Sequence, residues 1–133
     1  MLEQEPAELV IANRSMDKAE QLALAFQAHG PVRSCAFAEL SGQFDVVINA
    51  TSASLQSQRP PLADTIYQVG SFAYDMLYAD TPTLFLEHAA SCHAKTRDGW
   101  GMLVEQAAEA FQIWRGIRPE TGLLLNRQNL GNV

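Results

Sequence analysis

Long apolar runs are missing from this 133-residue sequence. None approaches the ~18 residues that a membrane-spanning helix requires. The N-terminus, Met1-Leu2-Glu3-Gln4-Glu5-Pro6, has no basic segment followed by an apolar one, so no secretory leader is expected. Cysteine is scarce: Cys35 and Cys92 stand far apart and form no CxxC pair. Reduced thiols and a cytoplasmic setting follow, rather than a disulfide framework. Positive charge is scarce too. Nine Lys and Arg against fifteen Asp and Glu leave a net charge of −6. That argues against a nucleic-acid backbone or an anionic membrane as the main partner, since both need a positive surface. It leaves room for a local cluster of Arg and Lys around one phosphate. A G-x-G-x-x-G loop is missing: it would lie ~20 residues before the ribose-reading position, yet only twelve residues precede Asn13 and none is glycine. In Gly99-Trp100-Gly101, the one G-x-G, Val104 stands where the third glycine would be.

What is present suits a folded globular domain. Hydrophobic residues make up 47% of the chain and charged residues 18%. The length matches one compact domain. The run 8–13 (ELVIAN) reads as a strand, and Ser15 to Lys18 as a helix start, with Ala19, Leu22, Ala23 and Phe26 at helical spacing. Gly30-Pro31 ends that helix. Residues 32–37 form a weaker strand candidate, interrupted by Arg33 and Ser34. The run 45–49 (DVVIN) is apolar on both faces, as a central parallel strand should be. Residues 50–61 are polar and read as a loop. Residues 71–77 predict another strand, 83–93 a helix, and 95–98 a short extended piece. Residues 102–114 predict a strong helix, with Leu103, Ala107, Phe111 and Trp114 on one apolar stripe. Gly116 closes it, and 119–133 reads as a short fraying helix.

Strands that alternate with helices imply an α/β fold with a mostly parallel sheet and flanking helices, a partial Rossmann-like (doubly wound) arrangement. Such sheets bind ligands at the carboxyl ends of their strands. At the end of the first strand stand Asn13, Arg14 and Ser15. An acid at this position would bond the ribose of NAD, whereas an Arg accommodates the 2′-phosphate of NADP. No acid is there. Arg14 offers a planar fork to a phosphate, Ser15 a hydroxyl, and Lys18 lies one helical turn on. The alternative is a pair of solvated charges beside a Ser N-cap. Asn49, Ala50, Thr51 and Ser52 follow the best strand. They either let a cofactor approach the backbone or form an ordinary Asn turn. Gly99, at a strand-to-helix turn, admits positive φ and close ligand contact, or marks a plain helix entry. Gln106 either bonds a polyol or faces water. Tyr74, Met76 and Tyr78 lie in or after a strand, where packing is the commoner role. His88 and His93 are five apart and Cys92 is adjacent, so no metal site is expected. Glu105 and Glu109 read as a solvated face.

Taken together, these stretches resemble the shikimate dehydrogenase family. Its members read Asn-Arg-Thr with a nearby basic residue, then Asp-x-x-Ile-Asn-Ala-Thr-Ser, Tyr-Asp-Met-x-Tyr, and Asp-Gly-x-Gly-Met-Leu-x-x-Gln. This sequence has Asn13-Arg14-Ser15 with Lys18, then 45–52, 74–78, and 98–103 with Gln106-Ala107-Ala108 and Ala110-Phe111, in order from about Glu8 to Gly116. The resemblance implies NADPH-dependent reduction of 3-dehydroshikimate to shikimate in aromatic amino-acid biosynthesis. It implies that Asn13, Arg14, Ser15 and Lys18 hold the 2′-phosphate and adenosine, and that Asn49, Ala50, Thr51 and Ser52 lie along the cofactor. Met76, Gly99 and Met102 would border the nicotinamide, and Tyr78 and Gln106 would reach the substrate. Ser15 stands for the family's Thr, and the bulkier Trp100 for its Leu. The family's Lys–Asp catalytic pair and glycine loop have no counterpart here. The resemblance therefore implies a truncated NADP-binding domain over 1–133, with the first βα unit and the N-terminal substrate domain missing, inactive alone. Loss of that central strand would leave apolar edges at Val10 and Val47, and a homodimer through them or a rearranged sheet is expected. The alternatives are a non-catalytic NADP-binding or interaction module, or part of a quinate/shikimate dehydrogenase.

Overall fold

A computed structural model describes residues 1–126. They form two compact units. The first comprises Met1–Gln43 with Pro60–Ile66, the second Phe44–Arg59 with the chain from Tyr67 onward.

In the first unit, β1 (Leu9–Ala12) pairs in parallel with β2 (Val32–Cys35), and Leu9 lies opposite Val32. Helix α1 (Met16–Phe26) crosses between them and packs on both strands. Only its smallest apolar residues, Ala19 and Ala23, are buried, so the helix can lie close to the strands. Leu22 and Phe26, expected on the same stripe, are about half exposed. The polar interruption at Arg33 has a partner that the linear sequence does not show. The Arg33 guanidinium donates to both carboxylate oxygens of Glu8, just before the neighbouring strand, at 2.6 and 3.3 Å.

In the second unit, β3 (Phe44–Asn49), β4 (Tyr67–Asp75) and β5 (Lys95–Arg97) form a parallel sheet in the order β3-β4-β5. Strand β4 buries Tyr67, Ser71, Ala73 and Asp75 and turns Phe72 and Tyr74 to the other face, the alternation of a strand with one face on a core. A bulge interrupts its pairing with β3. Phe44 lies opposite Tyr67, but Val46 lies opposite Phe72. Gly70 takes φ +88 there, and the Ser71 hydroxyl closes the bulge by accepting from the Gln68 N–H and donating to the Phe44 carbonyl. Helix α2 (Leu84–Ser91) packs on β4 and β5 through Phe85, Leu86 and Ala89. Helix α3 (Trp100–Arg115) follows β5, and the short α4 (Gly122–Leu125) packs against it.

The alternation of parallel strands and helices is the α/β arrangement read from the sequence, although the strands are grouped as two sheets. Three local expectations change. Strand β3 is not covered on both faces: Val46 and Ile48, which share a face, are exposed, while its edge position, with β4 its one partner among the described residues, matches the expected edge at Val47. The fourth strand begins earlier than expected, at Tyr67, and stops at Asp75, which leaves Met76 to Tyr78 in a loop. The stripe on α3 is rotated by one residue. Val104 and Ala108 are buried, whereas Ala107, Phe111 and Trp114 face out, Trp114 being 78% exposed. The strand 95–97 and the helix 84–91 lie within their expected bounds. Of the expected tail helix, Gly122–Leu125 is helical, and 127–133 lie outside the described residues.

Candidate functional site

The carboxyl end of β1 carries Asn13, then Arg14 and Ser15, and α1 starts immediately after. Ser15 is the N-cap residue, yet its side chain makes no capping hydrogen bond. The hydroxyl and the N–H donors of the first turn therefore have no capping partner within the helix, which is the usual anion-receptive state of a helix N-terminus. Arg14, Ser15 and Lys18 are exposed. Among the described residues neither Arg14 nor Lys18 is held by a carboxylate, in contrast to Arg33 and Arg118. Asp17 shares that first turn, so Arg14 and Lys18 together outweigh it by one positive charge.

The carboxyl ends of β3 and β4, in the second unit, are organised differently. Asn49 and Asp75, the last residues of the two strands, sit opposite one another and are 2% and 0% exposed. The Asp75 carboxylate accepts from the Ser54 hydroxyl at 2.7 Å, the Thr83 hydroxyl at 2.6 Å, the Leu77 N–H at 3.1 Å and the Asn49 side-chain amide at 3.3 Å. The Asn49 amide also donates to Ser54, and its carbonyl oxygen accepts from the N–H and hydroxyl of Thr51. Thr83 is the N-cap of α2, and its hydroxyl accepts from the Leu86 N–H while donating to Asp75. Each hydroxyl around Asp75 thus accepts on one side and donates on the other, and both buried side chains are satisfied. The Asn49 side chain is spent inside this network, so an exposed contact from this turn falls to Ala50, Thr51 and Ser52.

The loop after β4 is clamped through its backbone. The Met76 N–H donates to the Asn49 carbonyl at 3.0 Å, and the Gly99 N–H donates to the Leu77 carbonyl at 3.1 Å. A Cβ on Gly99 would lie 2.1 Å from the Met76 carbonyl oxygen. Gly99 has φ −77, so this glycine is required by close backbone packing and not by a positive φ, contrary to the expectation. The side chains of Met76 and Tyr78 project from the clamped loop, both nearly half exposed. The Tyr78 ring meets the edge of Trp100 at 5.8 Å, and the Trp100 indole N–H donates to the Leu124 carbonyl. Trp100 therefore joins the loop to α4. Met102 is half-buried and Gln106 exposed on the first turns of α3.

The structure thus gathers Asn13, Arg14, Ser15 and Lys18 at one strand end, and Asn49–Ser52, Met76, Tyr78 and Gly99 at another pair of strand ends. Asp75 was passed over in the sequence, although a carboxylate in the otherwise uncharged run 66–78 was the signal for it. Glu105 and Glu109 are not simply solvated: Arg118 donates to both, at 2.6 Å to Glu109. Cys92 and His88 lie one helical turn apart with Sγ and Nε2 at 3.9 Å, and His93, at φ +62, is outside the helix. Tyr74 beside β5 is held above its ordinary phenol range, first by burial and then by the negative charge of Asp98, against a smaller opposing effect of Arg97. No described helix is long and apolar enough to cross a membrane.

Two family profiles match the chain in order. Residues 1–59 match "Shikimate / quinate 5-dehydrogenase", and residues 99–125 match "Shikimate 5'-dehydrogenase C-terminal domain". Over these two stretches the chain matches the shikimate dehydrogenase family. A shikimate dehydrogenase (NADP(+)) from Nitrosospira multiformis is 53% identical over 136 residues, covering 99% of this chain and 50% of the relative. Among solved structures, an Ael1 enzyme from Pseudomonas putida superposes with a TM-score of 0.77 at 44% identity, over 92% of this chain and 45% of that one. A shikimate 5-dehydrogenase from Thermus thermophilus in complex with shikimate gives 0.74 at 26% identity, over 97% and 48%. The chain spans about half the length of the shikimate dehydrogenases it matches.

Proposed function

We propose that this chain forms the NADP(H)-holding part of an NADPH-dependent shikimate dehydrogenase, which reduces 3-dehydroshikimate to shikimate. The observation that carries this reading is the end of β1. A parallel strand delivers an arginine and a serine, both exposed, to an uncapped helix N-terminus, with no acid at that strand end. These groups suit a phosphate monoester on a ribose: the guanidinium offers a fork, Lys18 a point charge, and the helix its unused N–H donors. An acid in place of Arg14 would have suited the hydroxyl of NAD instead.

Asn13, Arg14, Ser15 and Lys18 then hold the 2′-phosphate and adenosine. Asn49, Ala50, Thr51 and Ser52 lie along the cofactor. Met76, Gly99 and Met102 border the nicotinamide, and Tyr78 and Gln106 reach the substrate. When bound, the reduced nicotinamide supplies hydride. The residues of this chain bind and orient, and the family's Lys–Asp acid–base pair has no counterpart among them, so we expect no turnover from the chain alone. The free thiols of Cys35 and Cys92 support a reducing, cytoplasmic setting. The edges of β1 and β3, unpaired on one side among the described residues, support a homodimer.

NADPH titration followed by fluorescence tests the reading. Arg14→Ala should weaken binding by roughly ten- to a hundredfold, the loss of one charge-assisted pair of bonds. Equal affinity of the variant and the parent chain would reject it. A preference for NAD would favour the quinate-using branch that one family profile includes.

A further inference from the structure

The network around Asp75 is more than a buried ion satisfied. It joins four pieces of chain in the second unit: the end of β3 through Asn49, the turn after it through Ser54, the loop after β4 through the Leu77 N–H, and the start of α2 through Thr83. Asp75 immediately precedes Met76, whose backbone is fixed on one side by the Asn49 carbonyl and on the other by contact with Gly99. Here Met76 and Tyr78 stay out while the backbone beneath them is pinned.

We propose that Asp75 is a positioning residue for the nicotinamide half of the cofactor: by accepting from Leu77, Ser54, Thr83 and Asn49 it fixes the loop that presents Met76 and Tyr78. The inference rests on the cofactor reading above. The chemistry behind it is directional. Every group that faces Asp75 donates, so the site tolerates only a pure acceptor there. In Asp75→Asn an NH₂ replaces one oxygen, a donor then faces donors, and at least one hydroxyl must turn away. Thr83→Val removes one donor at nearly constant volume, while Thr83→Ser keeps it.

The test compares two ligands on the whole chain: NADPH, and adenosine 2′,5′-bisphosphate, which carries the 2′-phosphate and adenosine but no nicotinamide. Binding of the bisphosphate reports the Arg14 end alone. The parent chain should bind NADPH about tenfold more tightly than the bisphosphate. Asp75→Asn and Thr83→Val should bring that ratio close to one without changing the affinity for the bisphosphate, and Thr83→Ser should keep it. An Asp75 that merely supports the second unit would lose the ratio only together with helical circular-dichroism signal and urea midpoint, whereas the positioning role loses it in a variant whose spectrum and midpoint match the parent chain. If Asp75→Asn does not fold, by circular dichroism, the comparison of Thr83→Val with Thr83→Ser decides. An undisturbed ratio in the folded variants overturns the inference, as does a ratio near one in the parent chain. A parent chain that binds neither ligand removes the cofactor reading, and this inference with it.

Discussion

At the scale of single residues, Gly99 and Asp17 make the sharpest statements. A methyl group on Gly99 would overlap the Met76 carbonyl at a distance that no real Cβ contact shows, and both partners are backbone. Gly99→Ala must move either α3 or the loop after β4, and should lower the urea midpoint by an amount equivalent to about 1–3 kcal/mol. Unchanged stability would mean that the loop is softer than its hydrogen bonds imply. Asp17 stands in the same turn as Arg14 and Lys18 and partly cancels their field. Asp17→Asn should therefore tighten NADPH binding by roughly twofold at low ionic strength, an effect that salt erases. Tyr74 supplies a pH dependence. Burial and Asp98 raise its folded-state pKa above the unfolded value near 10.0. The folded state thus favours the neutral phenol, and this stabilisation is complete below pH 10 and fades as pH rises through the folded pKa. Urea midpoints measured across that range should fall less steeply in Tyr74→Phe than in the parent chain.

At the scale of elements, helix α3 separates what the sequence could tell from what it could not. Its existence, its near-limits and its closing glycine follow from periodicity and from Gly116 in the left-handed region. Which face it buries does not. Apolar residues occur on two adjacent stripes, and the small side chains of Val104 and Ala108 allow closer approach than the larger ones beside them. Strand β4 shows a different limit. Its first half contains Gln68 and Gly70, which carry no strand signal, because the bulge that uses them depends on Phe44 across the pair. Arg33 and Asp75 share that cause: each is polar in an apolar run, and each is explained by partners on other elements, Glu8 for Arg33 and Ser54, Thr83 and Asn49 for Asp75. The end of β1 was legible because its chemistry is local to six consecutive residues. Phe111, Ile113, Trp114 and Ile117 leave a broad apolar surface at the end of α3. Trp114→Gln should reduce binding of a hydrophobic dye while changing stability by no more than about 0.5 kcal/mol. A large loss of stability would show that the indole is packed after all.

At the scale of the whole molecule, acidity and open strand edges act against each other. A net charge of −6 keeps copies apart, while β1 and β3 each end a sheet with one unpaired side among the described residues. Light scattering at low and moderate salt should show a dimer fraction that grows as salt screens the repulsion. A monomer at every ionic strength would remove the proposed association through those edges.

Strand β4 is the middle strand of its sheet, flanked on both sides and floored by a completely buried Ala73. In heavy water its amides should be the last of that sheet to pick up deuterium. Those of β3 that point away from β4 should exchange within the dead time of mixing. The contrast gives the molecule an internal clock. Any ligand or neighbour that covers the outer side of β3 should slow those fast amides first, which would map the event without a label or a substitution.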